Sequence, residues 1–235
     1  MVNLNRENKR TNRTTIIIAL VACLFLLGGT IAWLTSTSEL TNTFTVGTIN
    51  PVDADEDGPG DVEIPDLPQD ELDKILSDNL YEPNWVADSK LLPGSTITKD
   101  PYVGLGEKSE ESYMFVNVEN TMANNGNIYF KLEPGWTIVK ANCVMQMGKE
   151  YYTDGLFMYD SSLAGADSGN VWTATPLFSE VIISDDAVAG DFIDVNDADK
   201  IGDITVKSFI HQAKAGDGSD LKDTAVAAAK AKFGF

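Results

Sequence analysis

Apolar and polar positions divide this chain into an apolar N-terminal run and a long alternating body. Residues 16–27 are all apolar, and no charged residue occurs between Thr14 and Ser38. Beyond this run, apolar and polar positions alternate with a period of two, first from Leu40 to Val46 and then repeatedly from Trp85 onward. Such alternation, rich in β-branched and aromatic residues, is typical of half-buried strands. The pattern therefore predicts a mainly β body behind a short apolar segment.

The apolar run has the layout of a secretory signal. Four basic residues precede it: Arg6, Lys9, Arg10 and Arg13. Small residues then follow at Thr30 and Ala32, three back and one back from a cleavage site. We predict cleavage between Ala32 and Trp33, so that residues 1–32 form a signal peptide.

Two alternatives for this segment stay open. Roughly 20 apolar residues can span a bilayer, so the leader could remain as an uncleaved anchor with its basic flank in the cytoplasm. In addition, Leu20 to Cys23 resembles a lipobox in which Cys23 would carry the lipid. Residues 24–27 continue the apolar run past this cysteine, which argues against lipidation.

Residues 33–49 are predicted to form an N-terminal strand. One face presents alternate residues, namely Leu40, Asn42, Phe44 and Val46, and the other face presents the threonines between them. A strand at a new N-terminus must be paired, because an unpaired strand exposes backbone donors and acceptors. We therefore expect a donor-type strand that completes a sheet.

Residues 50–80 carry four prolines and many acids, and they predict a solvated, extended loop. The loop ends in a predicted short helix from Asp70 to Asn79, in which Leu72, Ile75 and Leu76 share a face. Asp53-Ala54-Asp55-Glu56-Asp57-Gly58 also matches the opening of an EF-hand loop. A calcium loop needs a bidentate Glu at its twelfth position, which here is Ile64. Calcium binding by Asp53, Asp55 and Asp57 is therefore a weaker alternative to simple solvation.

Residues 81–235 predict a jelly-roll-like antiparallel sandwich with a C-terminal helix. Met114 to Val118 and Ile128 to Leu132 are interpreted as a hairpin around the turn at 124–127. Leu221 to Phe233 is predicted to be helical, with Asp220 as its N-cap. The other predicted strands are Trp136 to Val139, Cys143 to Met147, Leu156 to Tyr159, Val171 to Thr175, Glu180 to Ser184 and Ile204 to Gln212.

The charge balance restricts the partners of the mature chain. The whole chain has 36 acids and 17 bases, and the leader removes one acid and four bases, so 35 acids and 13 bases remain, a net charge of −22. Nucleic acids and anionic membranes bind clustered Lys and Arg, so neither is an expected partner. Cys143 is the one cysteine left after cleavage, which excludes an intramolecular disulfide; we interpret it as a buried small hydrophobe.

The residue inventory gives little support to catalysis. His211 is the only histidine, and it falls in a predicted strand. A catalytic zinc draws mostly on several His, Cys and carboxylate ligands, and a Ser or Cys nucleophile commonly needs a positioned His. Glycoside hydrolysis needs a pair of carboxylates, and no local sequence motif marks such a pair in this chain. We interpret His211 as a strand-face residue and predict that the protein is not an enzyme and needs no cofactor, with Ca²⁺ as the weaker alternative.

Several segments together resemble the TasA/camelysin-type secreted proteins. The resemblance lies in Gly28 to Trp33 with Thr41 to Gly47, in Leu91 to Gly94 with Lys99 to Val103, in Tyr113 to Val118, and in Ile204 to Ala213. It implies a jelly roll, a leader cut by a SipW-type signal peptidase, and extracellular biofilm-matrix fibres. It also implies that the N-terminal strand of one subunit completes the sheet of the next. Some members are labelled metallopeptidases, an activity for which this chain lacks a His pair.

The residues and the resemblance lead to one main hypothesis. It is a secreted subunit of a cell-surface or matrix fibre that polymerises with itself and touches the membrane only through an uncleaved leader. Head-to-tail donation of a strand propagates a filament because it does not close on itself. The alternatives are a monomeric extracellular or anchored binding module and, with less support, a secreted hydrolase.

Overall fold

The computed structural model describes residues 35–37, 49–66, 72, 76–84 and 90–235. Strands dominate this part of the chain, and every strand pairing in it is antiparallel. No helix within it is long and apolar enough to cross a membrane. The mainly β prediction is therefore confirmed, and the predicted leader lies outside the described residues.

The main sheet has eight strands and curls like half of a barrel. Their order is β1–β14–β6–β9–β7–β11–β4, and β8 also pairs with β9. Their bounds are β1 Thr35–Thr37, β4 Thr96–Thr98, β6 Ser112–Asn120, β7 Ile128–Phe130, β8 Trp136–Gln146, β9 Lys149–Tyr159, β11 Glu180–Ile183 and β14 Ile204–Gln212.

Strand β9 organises the main sheet because it has three partners. Strand β8 covers one edge of β9 over its whole length, while β6 and β7 lie end to end along the other edge. The predicted hairpin between the strands that became β6 and β7 is therefore wrong. The residues between them form a short 3-10 turn at Asn125–Asn127, so the chain leaves the edge of β9 and then returns to it.

Strands β8 and β9 form one long hairpin with a two-residue turn. Met147 and Gly148 both have positive φ, as a type I′ turn requires. The two strands predicted at Trp136 to Val139 and Cys143 to Met147 are thus a single strand that ends at Gln146. Two β-bulges interrupt the pairing of this strand, one between Ile138 and Lys140 and the other between Asn142 and Cys143. They lie where the first predicted strand ends and where the second begins.

A second sheet has four strands in the order β10–β5–β3–β2. Their bounds are β2 Leu76–Ser77, β3 Leu80–Tyr81, β5 Tyr102–Leu105 and β10 Val171–Trp172. The helix predicted from Asp70 to Asn79 is wrong at its end, because Leu76 and Ser77 pair with β3. Asp78 adopts φ 47° in the turn, a conformation that Asp and Asn tolerate better than most residues. Of the earlier residues of this helix, only Leu72 is described, and it is helical.

Two further elements complete the chain. A small ribbon pairs β12 (Ile193–Asp194) with β13 (Asp197–Ile201). Helix α1 runs from Lys222 to Phe233, so it ends where predicted and begins one residue later than predicted. Asp220 lies one position before the observed N-cap residue, Leu221, yet its carboxylate still accepts the backbone N–H of Lys222 at 2.7 Å.

Both faces of the main sheet are covered. On β6, Met114, Val116 and Val118 enter a core that also contains Leu80, Val103 and Leu105 of the second sheet. The alternate residues Tyr113 and Phe115 enter a separate cluster with Ala225 and Ala229 of α1. The period-two pattern of β6 is confirmed, and apolar residues occupy both faces because each face has its own covering layer.

Candidate assembly site

Strand β1 lies on the outer edge of β14, three residues beyond the predicted cleavage site. Thr35, Ser36 and Thr37 are opposite His211, Ile210 and Phe209 in antiparallel register. We call the edge of β14 with β1 paired to it the N-terminal edge. Ala32, Trp33 and the predicted donor positions Leu40, Asn42, Phe44 and Val46 all lie outside the described residues.

The part of β14 that receives β1 is firmly held from both faces. Ile210 is 1 % exposed and belongs to the core between the sheets. Phe209 points the other way, where its ring lies 5.9 Å from that of Phe115 and 6.3 Å from that of Phe233 of α1. Because β14 also pairs with β6 along all nine of its residues, the edge offered to β1 is rigid.

His211 is a strand residue of β14, as predicted, and it is largely buried. Its Nδ1–H donates to the carbonyl oxygen of Gln212 at 2.8 Å. Burial lowers the pKa of the imidazole, although the hydrogen bond to Gln212 opposes this shift. The ring is therefore uncharged at neutral pH and has one nitrogen engaged by the backbone.

The acidic loop is more ordered than the sequence predicts. Ile64 is 5 % exposed, and Gly58 donates its N–H to the carbonyl oxygen of Val62 at 2.7 Å. A Cβ on Gly58 would lie 3.0 Å from the ring of Tyr81, so the loop packs closely against β3. Most of residues 50–66 are exposed, as in a solvated loop, but Gly58 and Ile64 are buried, and through Gly58 the loop packs against Tyr81 of the second sheet.

The predicted calcium ligands are not gathered around one point. Asp53 uses Oδ1 to accept the N–H of Asp55 at 2.9 Å, which is a local turn. Among the residues that the structure describes, no three His, Cys, Asp or Glu side chains form a group that could hold a metal ion. The observed role of the Asp53 carboxylate is therefore to hold this turn.

A cleft that the sequence did not predict lies beside this loop. It has a volume of 660 Å³, and its lining includes Glu56, Asp57, Asp61 and Trp172. Trp172 donates its indole N–H to the carbonyl oxygen of Asp57 at 3.0 Å. The side-chain amide of Asn170 also holds the loop, donating to the carbonyl oxygen of Asp53 at 2.7 Å. The feature of the sequence that could have indicated this cleft is Trp172, which follows the polar segment Ser168 to Asn170.

Cys143 is exposed on β8, so its interpretation as a buried residue is wrong. It lies at the second bulge of the β8–β9 hairpin, opposite Tyr152. The prediction depended on the general tendency of free cysteines to be buried, which this position on the β8–β9 hairpin does not follow. Hydrogen bonding to Glu150 raises the pKa of the thiol, which makes it a poor nucleophile.

Comparison of the chain with family models, with curated proteins and with solved structures finds no match.

Proposed function

We propose that this chain is a secreted structural subunit that assembles into fibres at the cell surface or in a biofilm matrix. Each subunit would donate its N-terminal strand to the sheet of the next, after a SipW-type peptidase cuts between Ala32 and Trp33. Its body would be a jelly-roll-like sandwich without catalytic activity. The family resemblance supplies this picture, and one contact supports it.

That contact is the N-terminal edge. The first described residues after the predicted cleavage site form a strand at the outermost position of the main sheet. A terminal edge strand can be exchanged between identical subunits with little change in energy, because the same pairs form in either arrangement. Exchange in a head-to-tail manner then yields an open filament.

In the single chain, β1 occupies the β14 edge of its own sheet. This placement favours the second candidate, a monomeric extracellular binding module, for which the cleft at Trp172 offers a surface. The two candidates differ in whether β1 pairs with β14 of its own chain or with β14 of a neighbouring chain. They make opposite predictions for a covalent bond placed across this pair of strands.

A cysteine pair at Thr35 and His211 tests the two arrangements. The variant T35C/H211C/C143S, beginning at Trp33, is made in light and isotopically heavy forms, mixed in denaturant, refolded and oxidised. Donation predicts disulfides that join light to heavy chains and filaments visible by electron microscopy. A monomeric module predicts disulfides within single chains and one monomer boundary in sedimentation at every concentration, which would refute the fibre proposal.

Two controls make this result specific. The single-cysteine variant T35C/C143S lacks the second thiol and should give no β1–β14 disulfide. Deletion of residues 33–46 should leave soluble protein that does not polymerise. Fibres that form unchanged from this truncated chain would show that the polymer is built through another surface.

A further inference from the structure

Lys99 and Glu82 form a buried pair that joins the two sheets. Glu82 directly follows β3 of the second sheet, and Lys99 directly follows β4 of the main sheet. The Nζ of Lys99 donates to Oε2 of Glu82 at 2.7 Å, and the two side chains are 10 % and 9 % exposed. The other carboxyl oxygen of Glu82, Oε1, is buried and has no hydrogen-bond partner among the described residues.

This geometry brings a nucleophile close to an electrophilic carbon. The carboxyl carbon of Glu82 is one bond beyond the oxygen that Lys99 contacts. Reacting atoms held about 3–3.5 Å apart are in near-attack range, and fixing two groups in this way replaces a bimolecular encounter by a unimolecular step. Packing of β3 and β4 around one core keeps the two groups in place.

Burial favours the uncharged form of the Glu82 carboxyl group, because a buried carboxylate loses its hydration. Burial raises the pKa of Glu82, although Lys99 opposes this shift. Transfer of one proton along the 2.7 Å contact gives a neutral amine and a carboxylic acid, the two species that condense to an amide.

A second carboxyl group lies beside the pair. Asp100 accepts from Asn84 through both oxygens, from the side-chain amide at 2.7 Å and from the backbone N–H at 3.0 Å. Its negative charge contributes to the raised pKa of Glu82, and burial raises its own pKa. Asp100 thus holds a fixed negative charge near the pair, which favours the protonated form of Glu82.

We propose that Lys99 and Glu82 become joined by an intramolecular amide bond that the folded chain forms by itself. The neutral Nζ attacks Cδ of Glu82, the new C–N bond forms, and the C–OH bond breaks. One N–H proton of the attacking amine passes to the departing hydroxyl, so one water leaves and no redox partner is needed. The bond would fasten the two sheets covalently in a chain whose predicted mature form has a single cysteine. This proposal does not depend on fibre formation.

Mass spectrometry of the full chain tests the bond directly. The denatured protein should be lighter than its determined sequence by the mass of one water. Trypsin should then release residues 75–90 joined to residues 91–108, with no cleavage after Lys99. This branched peptide separates the amide from a succinimide at an Asp-Gly site, which loses water without a branch. A full sequence mass with complete cleavage after Lys99 would overturn the proposal.

Three variants sharpen the assignment. Lys99→Arg and Glu82→Ala should each restore the full mass, and circular dichroism of each variant checks that it folds. Lys207→Arg, which changes the more exposed pair with Glu119 at 3.1 Å, should keep the water loss of the wild type.

Discussion

Tyr113 of β6 donates its hydroxyl hydrogen to the carboxylate of Asp220, with oxygen–oxygen distances of 2.8 Å to Oδ2 and 3.1 Å to Oδ1. The contact joins the main sheet to Asp220, whose carboxylate also accepts the N–H of the first residue of α1. Burial and the adjacent carboxylate together raise the pKa of Tyr113 to about 12. Hydrogen bonds from Lys222, Tyr113 and Lys214 lower the pKa of Asp220.

Asp220→Asn should therefore lower the pKa of Tyr113, because the asparagine carries no charge that opposes phenolate formation. The ultraviolet absorbance of tyrosinate, measured against pH in the wild type and the variant, reports this change, with Tyr113→Phe identifying the contribution of Tyr113. A wild-type curve without a component near the raised value would contradict the contact.

The same variant should change the pH dependence of stability. Since the folded-state pKa of Asp220 is lowered, its contribution is present above the unfolded value of about 3.9 and is lost as the pH falls through the folded value. Urea unfolding should show Asp220→Asn less stable than the wild type at neutral pH, with the difference shrinking in acid. A difference that is constant with pH would point to a cause other than the carboxylate charge.

Gly104→Ala should disturb the cleft beside the acidic loop. A Cβ at this position would lie 2.5 Å from the ring of Trp172, which rests on the glycine. Overpacking of this kind typically costs about 1–3 kcal/mol. We expect a loss of near-ultraviolet circular dichroism from the displaced indole and a lower melting temperature. Gly190→Ala, with no atom within 4 Å of the new Cβ, is the matched control and should change neither signal.

Met147→Asn should stabilise the β8–β9 hairpin. Met147 has φ 51° and a fully exposed side chain, so it bears the backbone cost of a left-handed residue without packing in return. Asn accepts this conformation more readily, which predicts a gain of about 1 kcal/mol in the free energy of unfolding. Met147→Ala keeps the backbone cost and should be neutral. Equal stability of the Asn and Ala variants would exclude a type I′ turn as the source.

Removal of calcium should not affect the fold. Because Asp53, Asp55 and Asp57 do not form a ligand group, we expect the same melting temperature in excess chelator and in excess Ca²⁺. A calcium-dependent rise in melting temperature that disappears in Asp53→Asn would show that the acidic loop is a metal site after all. Asp217→Asn, on another exposed turn, serves as the control for general charge effects.

Local patterns predicted single elements well. Strand β14 spans Ile204–Gln212, the predicted bounds, and α1 ends at the predicted residue. These elements could be predicted because each is determined by neighbouring residues. Leu76 shows where local prediction fails. The spacing of the apolar residues around it fits one turn of helix as well as a short strand. The observed structure is a strand that ends in the turn at Asp78.

Pairings between distant strands could not be predicted. The partners of β6 are β14 and β9, and nothing in the alternation of β6 distinguishes them from the nearer β7. The Lys99–Glu82 pair and the Trp172 cleft depend on the same long-range arrangement. Burial of a lysine or a glutamate has no local signature, because it follows from which elements happen to cover the residue.

The position of β14 near the end of the chain affects how the molecule is made. Its partner β1 is synthesised roughly 170 residues earlier, which at about 5–20 residues per second is an interval on the order of ten seconds or more. Throughout that interval a nascent molecule has its first strand but not yet the C-terminal edge that receives it. Until that edge exists, β1 has no partner strand among the described residues of its own chain, so its pairing with β14 is one of the last contacts of the main sheet that a nascent chain can complete.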